Sequence, residues 1–161
     1  MTPSPKGFSV AVLTSALLAG SLDAVAASVQ YIIKTGNNPA KVFRYIASAV
    51  LGKVALNQDL YAMAAWGLLF HMLIAFTFTL FFSLFYRQIK MLIKNKYIAG
   101  ILYAICVWAV MNLLVVPSAF GKSISVKFPD ALIAVGILVI AIGLPISLMV
   151  DRYYSKTKTV H

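Results

Sequence analysis

Four long apolar stretches, separated by short polar segments, constrain the fold of this chain more than any other feature. They cover approximately residues 8–33, 61–86, 97–116 and 130–150. A helix needs about 20 mostly apolar residues to cross the hydrocarbon core of a bilayer. Each stretch meets that requirement, so the sequence predicts an all-α membrane protein with four transmembrane helices.

The composition favours the same fold class. The 161 residues are 61% hydrophobic and only 11% charged, whereas a soluble globular domain is about half apolar and about a quarter charged. A soluble domain of this length cannot hide so much apolar surface, because its exterior must carry polar groups. We therefore expect a single membrane domain over residues 1–161, with the lipid bilayer as its immediate partner.

A fifth helix is predicted over residues 39–53, between the first and second spans. Asn38 can cap this helix, and Pro39 suits its first position. At 100° per residue its faces differ in polarity, with Lys41, Arg44 and Ser48 on one and Phe43, Ile46 and Val50 on the other. The helix is too short and too polar to cross a bilayer, so we interpret it as an amphipathic interfacial helix. A gate or a partner-docking role is the alternative.

Prolines and glycines predict where the last two spans end and bend. Pro117 should stop the third span, and Pro129 suits the opening of the fourth. Within the fourth span, Gly136, Gly143 and Pro145 would permit close packing or a kink.

The positive charges predict orientation and not nucleic-acid binding, although the net charge is +10. Eight of the 14 Lys and Arg residues fall on one predicted side, namely Lys6, four within residues 87–96 and three in the C-terminal tail. Six fall on the other side. The positive-inside rule then places both termini in the cytoplasm. Tyr86 and other Tyr and Trp residues near the span ends predict an aromatic belt at the membrane interfaces.

The N-terminus shares features with a cleavable signal peptide, since Lys6 precedes an apolar run and Ala24-Val25-Ala26 precedes Ala27. The apolar character nevertheless continues to Ile33. We therefore expect the first span to be retained.

Three polar residues inside the predicted spans are the candidate functional site. Asp23 lies in the first span, His71 in the second and Asn112 in the third. Asp23 is about three residues, or ~4.5 Å, from the midpoint of its span. Because consecutive spans run in opposite directions, all three residues are expected in the same outer half of the membrane.

Small side chains surround two of these polar residues on their helical faces. Asp23 shares its stripe with Ala16, Ala19, Gly20, Ala26 and Ala27, and His71 shares its stripe with Ala64, Gly67 and Ala75. Small residues at such spacings mark close approaches between membrane helices. Asp23 and His71 are therefore predicted to point into the bundle and to meet.

An Asp–His pair within a membrane supports two functional readings. An unpaired carboxylate near mid-membrane costs ~2.5 kcal/mol or more, so Asp23 needs a partner or a proton. Burial and mutual attraction oppose each other in such a pair, which can then titrate near neutrality, as proton-linked transport or small-ligand binding would require. A polar contact that only holds two helices together, for ~0.6 kcal/mol, leaves the same sequence pattern.

Other chemistry finds little support in the sequence. The spans offer one His where haem usually needs two axial ligands, and Asp23, His71 and Cys106 have no metal-ligand spacing. Nothing resembles a nucleophile elbow. We expect neither an enzyme nor a cofactor, metal or catalytic residue. Four spans make a slim bundle, so a homo-oligomer or an accessory subunit of a larger membrane complex is the alternative to independent activity.

A resemblance to a bacterial family covers about a third of the chain, residues 66–121. The segment Phe70-His71-Met72-Leu73-Ile74-Ala75-Phe76, the later Tyr86, the restart Ala99-Gly100-Ile101-Leu102-Tyr103 and the closing Val116-Pro117 resemble YagU-like inner-membrane proteins. The resemblance implies a bacterial inner membrane and a role for His71. The first third of the chain, which contains Asp23 and the helix after Pro39, departs from the family pattern, and the resemblance implies no mechanism.

Overall fold

The computed structural model describes residues 5–121 and 128–156, and their regular elements are all helices. In chain order these are α1 (Pro5–Thr35), α2 (Ala40–Leu51), a 3-10 helix (Lys53–Asn57), α3 (Leu60–Leu92), α4 (Lys96–Val110), a π-helical segment (Met111–Val115), α5 (Val116–Phe120), α6 (Phe128–Leu138), a second π-helical segment (Val139–Gly143) and α7 (Leu144–Lys156). Lys122, Lys127 and Lys158, which entered the orientation prediction, lie outside the described residues.

Four continuous helical rods are long and apolar enough to cross a membrane, as the sequence predicted. They are Lys6–Thr35, Leu60–Leu92, Lys96–Phe120 and Phe128–Ser155. Large apolar side chains cover the outside of these rods, among them Leu13, Leu17, Val25, Leu73, Phe85, Leu113, Leu114 and Ile140. Such an exterior is what a bilayer solvates, whereas soluble monomers rarely expose contiguous apolar surface on this scale.

The interior of the bundle is narrow because small residues let the helices approach closely. A Cβ atom on Gly20 of α1 would lie 2.9 Å from the sulfur of Met72 and 3.0 Å from Cβ of Ala75 on α3. Gly100 of α4 meets Gly143 in the same way, whereas Gly136 has no described neighbour within 4 Å. The close packing that the sequence permits is therefore found at Gly143, whereas no close contact is described at Gly136.

Helix α2 forms where the sequence predicted it, but two of its residues, Ser48 and Val50, depart from the predicted faces. The Asn38 side chain accepts a hydrogen bond from the Ala40 amide at 2.9 Å. Ser48, expected on the polar face, is only 3% exposed, whereas Val50, expected on the apolar face, is 59% exposed. Helix α2 packs closely on α3, because a Cβ on Gly67 would clash with the Phe43 carbonyl.

One predicted helix end is wrong, and a second helix continues beyond its predicted membrane span. Helix α3 continues to Leu92, past the span end predicted near residue 86. The third rod passes through Pro117 and ends at Phe120. Proline lacks an N–H and clashes with the carbonyl four residues earlier, which usually ends or kinks a helix. Here a π-helical segment precedes each of Pro117 and Pro145 and widens the backbone, so that both rods continue past the proline.

Candidate functional site

Asp23 of α1 and His71 of α3 face each other inside the bundle, as the stripes of small residues predicted. The distance from Nε2 of His71 to Oδ2 of Asp23 is 3.7 Å. The side chains are 14% and 18% exposed, respectively. This separation permits strong electrostatic interaction between the two groups, but it is too long for a direct hydrogen bond.

The His71 ring also contacts the backbone of α1. Nε2 lies 3.1 Å from the carbonyl oxygen of Gly20. A carbonyl oxygen only accepts hydrogen bonds, so this contact requires a proton on Nε2. The neutral ring then keeps Nδ1 as its proton-accepting atom. Phe43 of α2 packs edge-on against the same ring, with centroids 6.1 Å apart. Three helices thus fix the orientation of His71.

A cavity of about 250 Å³ opens beside the pair. Asp23 and His71 are its ionisable wall, and the remaining lining is almost entirely apolar, including Ala27, Ile46, Ile74, Phe78 and Val107. An apolar cavity with a few convergent polar groups is the usual form of a small-ligand site. A volume of this size holds several water molecules or one small solute.

Both π-helical segments border this cavity. Met111, which begins the first segment, and Ile142, in the second, line its wall, and Leu138 adjoins the second segment. Single π-helical turns are rare and occur frequently at functional sites. The sequence analysis missed these segments. Pro117 and Pro145 were the available signal in the sequence. They predicted helix ends or kinks, and not π-helical segments that allow the helices to continue.

A second hollow, of about 230 Å³, lies next to the cavity near the C-terminal end of α1. Ala27 lines both spaces. Along α2, Val42 lines the hollow and Ile46 lines the cavity, one helical turn apart. The hollow also contacts the polar side chains of Gln30 and Lys34. Its position gives the Asp23–His71 cavity a neighbouring space that leads toward one end of the bundle.

Asn112, the third predicted site residue, is not brought into this cavity. Its side-chain amide donates to the carbonyl oxygen of Trp108 on its own helix at 2.9 Å. The cavity is lined instead by the preceding residue, Met111. Asp23 and His71 meet at one level of the bundle, as predicted, but the level of a residue along a helix does not determine which side of the helix faces the site.

A second polar cluster, which the sequence analysis missed, surrounds Asp151 of α7. The Asp151 carboxylate accepts a hydrogen bond from the Tyr86 hydroxyl at 2.6 Å and one from the Lys90 ammonium at 2.5 Å, and Lys96 lies 3.5 Å away. Tyr86, predicted to belong to an aromatic belt, is buried in this cluster. The signal was available, since Asp151 is one of only four acidic residues in the chain.

No three His, Cys, Asp or Glu side chains gather closely enough to hold a metal ion within the part of the chain that the structure describes. The titratable groups at the cavity are Asp23 and His71. The arrangement is therefore suited to binding and releasing a proton, or to binding a small solute that carries one.

Comparison of the chain with protein-family models, curated proteins and solved structures gives no match.

Proposed function

We propose that this chain is a multi-pass membrane protein in which Asp23 and His71 form a proton-binding site for proton-linked transport of a small solute. The observation that carries the proposal is the approach of Nε2 of His71 to Oδ2 of Asp23, 3.7 Å apart, at the wall of a cavity of about 250 Å³. Ionisable residues within membrane helices most often mark proton or substrate pathways.

The chemistry proposed for the pair uses one proton. With Nε2 of His71 donating to Gly20, a proton arriving from the cavity can bind Nδ1 of the ring or the Asp23 carboxylate. The pair then changes from a net charge of −1 to neutral. Burying an uncompensated charge in the membrane is costly. The transport step that exposes the site to the other side of the membrane is therefore favoured when the pair is protonated and neutral.

Orientation and location complete the proposal. The basic residues Arg87, Lys90, Lys94 and Lys96, at the junction of α3 and α4, support a cytoplasmic position for that end and for both termini. Helix α2 then lies toward the outer interface, and the hollow beside Ala27 is the route by which water reaches the site. The YagU-like resemblance supports placing the protein in a bacterial inner membrane.

The test is proton movement into vesicles. Purified protein is reconstituted into liposomes that contain a pH-sensitive dye, and a potassium diffusion potential drives protons inward. The wild-type protein should acidify the lumen through proton leak at the Asp23–His71 site, which needs no solute, and Asp23→Asn should reduce the rate to that of protein-free vesicles. His71→Gln should do the same while preserving the fold, because a glutamine amide can still donate to the Gly20 carbonyl but cannot take up a proton.

Matched variants separate loss of the proton site from loss of the protein. Asn112→Ala changes a polar side chain outside the cavity and should leave proton flux unchanged. Each variant is also checked for monodispersity and melting temperature in detergent. Wild-type flux in both Asp23→Asn and His71→Gln would refute the proposal.

A second candidate function is purely structural, with the chain acting as an accessory subunit of a larger membrane complex. The contact between His71 and the Gly20 carbonyl favours it, because this bond joins α1 to α3 without any need for proton exchange. That role predicts unchanged stability in His71→Gln, a lower melting temperature in His71→Ala, and no proton flux in any variant, wild type included.

A further inference from the structure

A groove lies on the outside of the bundle between α1 and α6. Its volume is about 550 Å³. Leu22, Val25, Val29 and Ile33 line it from α1, and Ile133 and Ile137 line it from α6. These α1 residues lie on a different stripe from Asp23 and Ala27, but Gln30 and Lys34 line both the groove and the hollow beside the Asp23–His71 cavity, so the groove adjoins that hollow at one end.

The groove runs along the helices for about 11 residues of α1, from Leu22 to Ile33, which corresponds to ~16 Å at 1.5 Å per residue. Most of its lining is aliphatic, and the polar side chains of Gln30 and Lys34 lie at one end. A long aliphatic groove with polar groups at one end has the shape and polarity to bind an acyl chain attached to a polar headgroup.

Charge at the end of the groove is paired. The Lys34 ammonium donates to Oδ1 of Asp130 at 2.8 Å, and both side chains are about half exposed. An ammonium has three N–H donors and a carboxylate has about four acceptor positions. This one contact therefore uses only part of the hydrogen-bonding capacity of either group. Because exposed ion pairs contribute little net stability, the two side chains can also separate to accommodate a ligand.

We propose that this groove binds an ethanolamine phospholipid of the surrounding bilayer. One acyl chain lies along α1 between Val25 and Ile33, the lipid phosphate accepts hydrogen bonds from Lys34, and the lipid ammonium donates to Asp130. A zwitterionic headgroup carries one negative and one positive charge, so its phosphate complements Lys34 while its ammonium complements Asp130. A purely anionic headgroup would be attracted by Lys34 and repelled by Asp130. The inference rests on the proposed membrane insertion and not on proton transfer.

Native mass spectrometry of the full chain tests the proposal. The purified protein is equilibrated in detergent with equal amounts of phosphatidylethanolamine, phosphatidylcholine and phosphatidylglycerol that carry identical acyl chains. We expect about fivefold to tenfold more retained phosphatidylethanolamine than phosphatidylcholine, whose trimethylated ammonium cannot donate a hydrogen bond to Asp130. Asp130→Asn should remove that preference.

Groove variants complete the experiment. Val29→Trp places a large side chain in the groove and should reduce retention of all three lipids, whereas Leu18→Trp, on an exposed part of α1 outside the groove lining, should not. Equal retention of the three lipids, a preference for phosphatidylglycerol, or unchanged retention in Val29→Trp would each overturn the proposal. Asp23→Asn should retain lipid as the wild type does, so failure of the proton-flux test and failure of this test are distinguishable.

Discussion

The four acidic side chains each have a defined partner, and together they show how sparingly this chain uses negative charge. Asp23 faces His71, and Asp59 caps α3 by accepting a hydrogen bond from the Ala62 amide at 2.8 Å. Asp130 pairs with Lys34 at an exposed helix end, and Asp151 is held by Tyr86 and two lysines. Buried charges persist only when they are paired and hydrogen-bonded. Among the described cavities, the one of about 250 Å³ is lined by Asp23 together with its partner, His71.

Burial separates the expected effects of removing two of these carboxylates. Asp151→Asn should lower the free energy of unfolding by about 1–3 kcal/mol, because Lys90, Lys96 and Tyr86 lose a shared, largely buried acceptor. Asp130→Asn also removes a lysine partner, but at an exposed site, and should cost less than about 1 kcal/mol. Unfolding by denaturing detergent, followed by tryptophan fluorescence, measures both. Equal losses would contradict the role assigned to the Asp151 cluster.

At the scale of the helices, length and apolarity made the four rods predictable, and side-chain volume made part of their packing predictable. The ends of the helices and their buried faces were less predictable from the sequence. Pro117 predicts a helix end because proline is disfavoured within an α-helix. The structure shows that a π-helical segment precedes it and that the helix continues to Phe120. Similarly, the amphipathic pattern of α2 does not predict that Ser48 is buried and Val50 exposed.

The approach of α2 to α3 gives a prediction about two glycines. Gly67→Ala should separate the helices and cost about 1–3 kcal/mol or more, because the new Cβ would clash with the rigid Phe43 backbone. Gly136→Ala, with no described neighbour within 4 Å, should instead stabilise the protein by about 0.5–1 kcal/mol through helix propensity. Melting temperatures in one detergent compare the two. Tolerance of alanine at position 67 would mean that α2 does not pack on α3 as described.

For the whole molecule, the structure combines an apolar exterior, a narrow interior held by small residues, and one ionisable pair beside a cavity. The pairing of Asp23 with His71 was predictable because two stripes of small residues and opposite chain directions both indicated it. The cavity was not predictable, because it depends on where Met111 and Ile142 lie on widened helical turns. Asn112 shows the same limit, since a shift of one position decides whether a residue lines the site.

The proposed orientation is tested on intact cells. After Cys106 is replaced by Ala, a single cysteine is placed at Asn37, in the loop after α1, or at Asn95, in the loop before α4. A membrane-impermeant maleimide added outside should label the cysteine at position 37 and not the one at position 95. Labelling of position 95 alone would show the opposite orientation, in which the hollow near Ala27 faces the cytoplasm.

The measurement that bears most directly on the account is an infrared titration of the Asp23 carboxyl group in reconstituted protein. The difference between wild type and Asp23→Asn isolates its C=O stretching band. If Asp23 and His71 exchange protons with water through the cavity, that band should change intensity across the pH range over which the protein stays folded, and the change should shift in pH in His71→Gln. A band that stays constant throughout this range would contradict the proton-binding site and leave the pair a contact that holds α1 against α3.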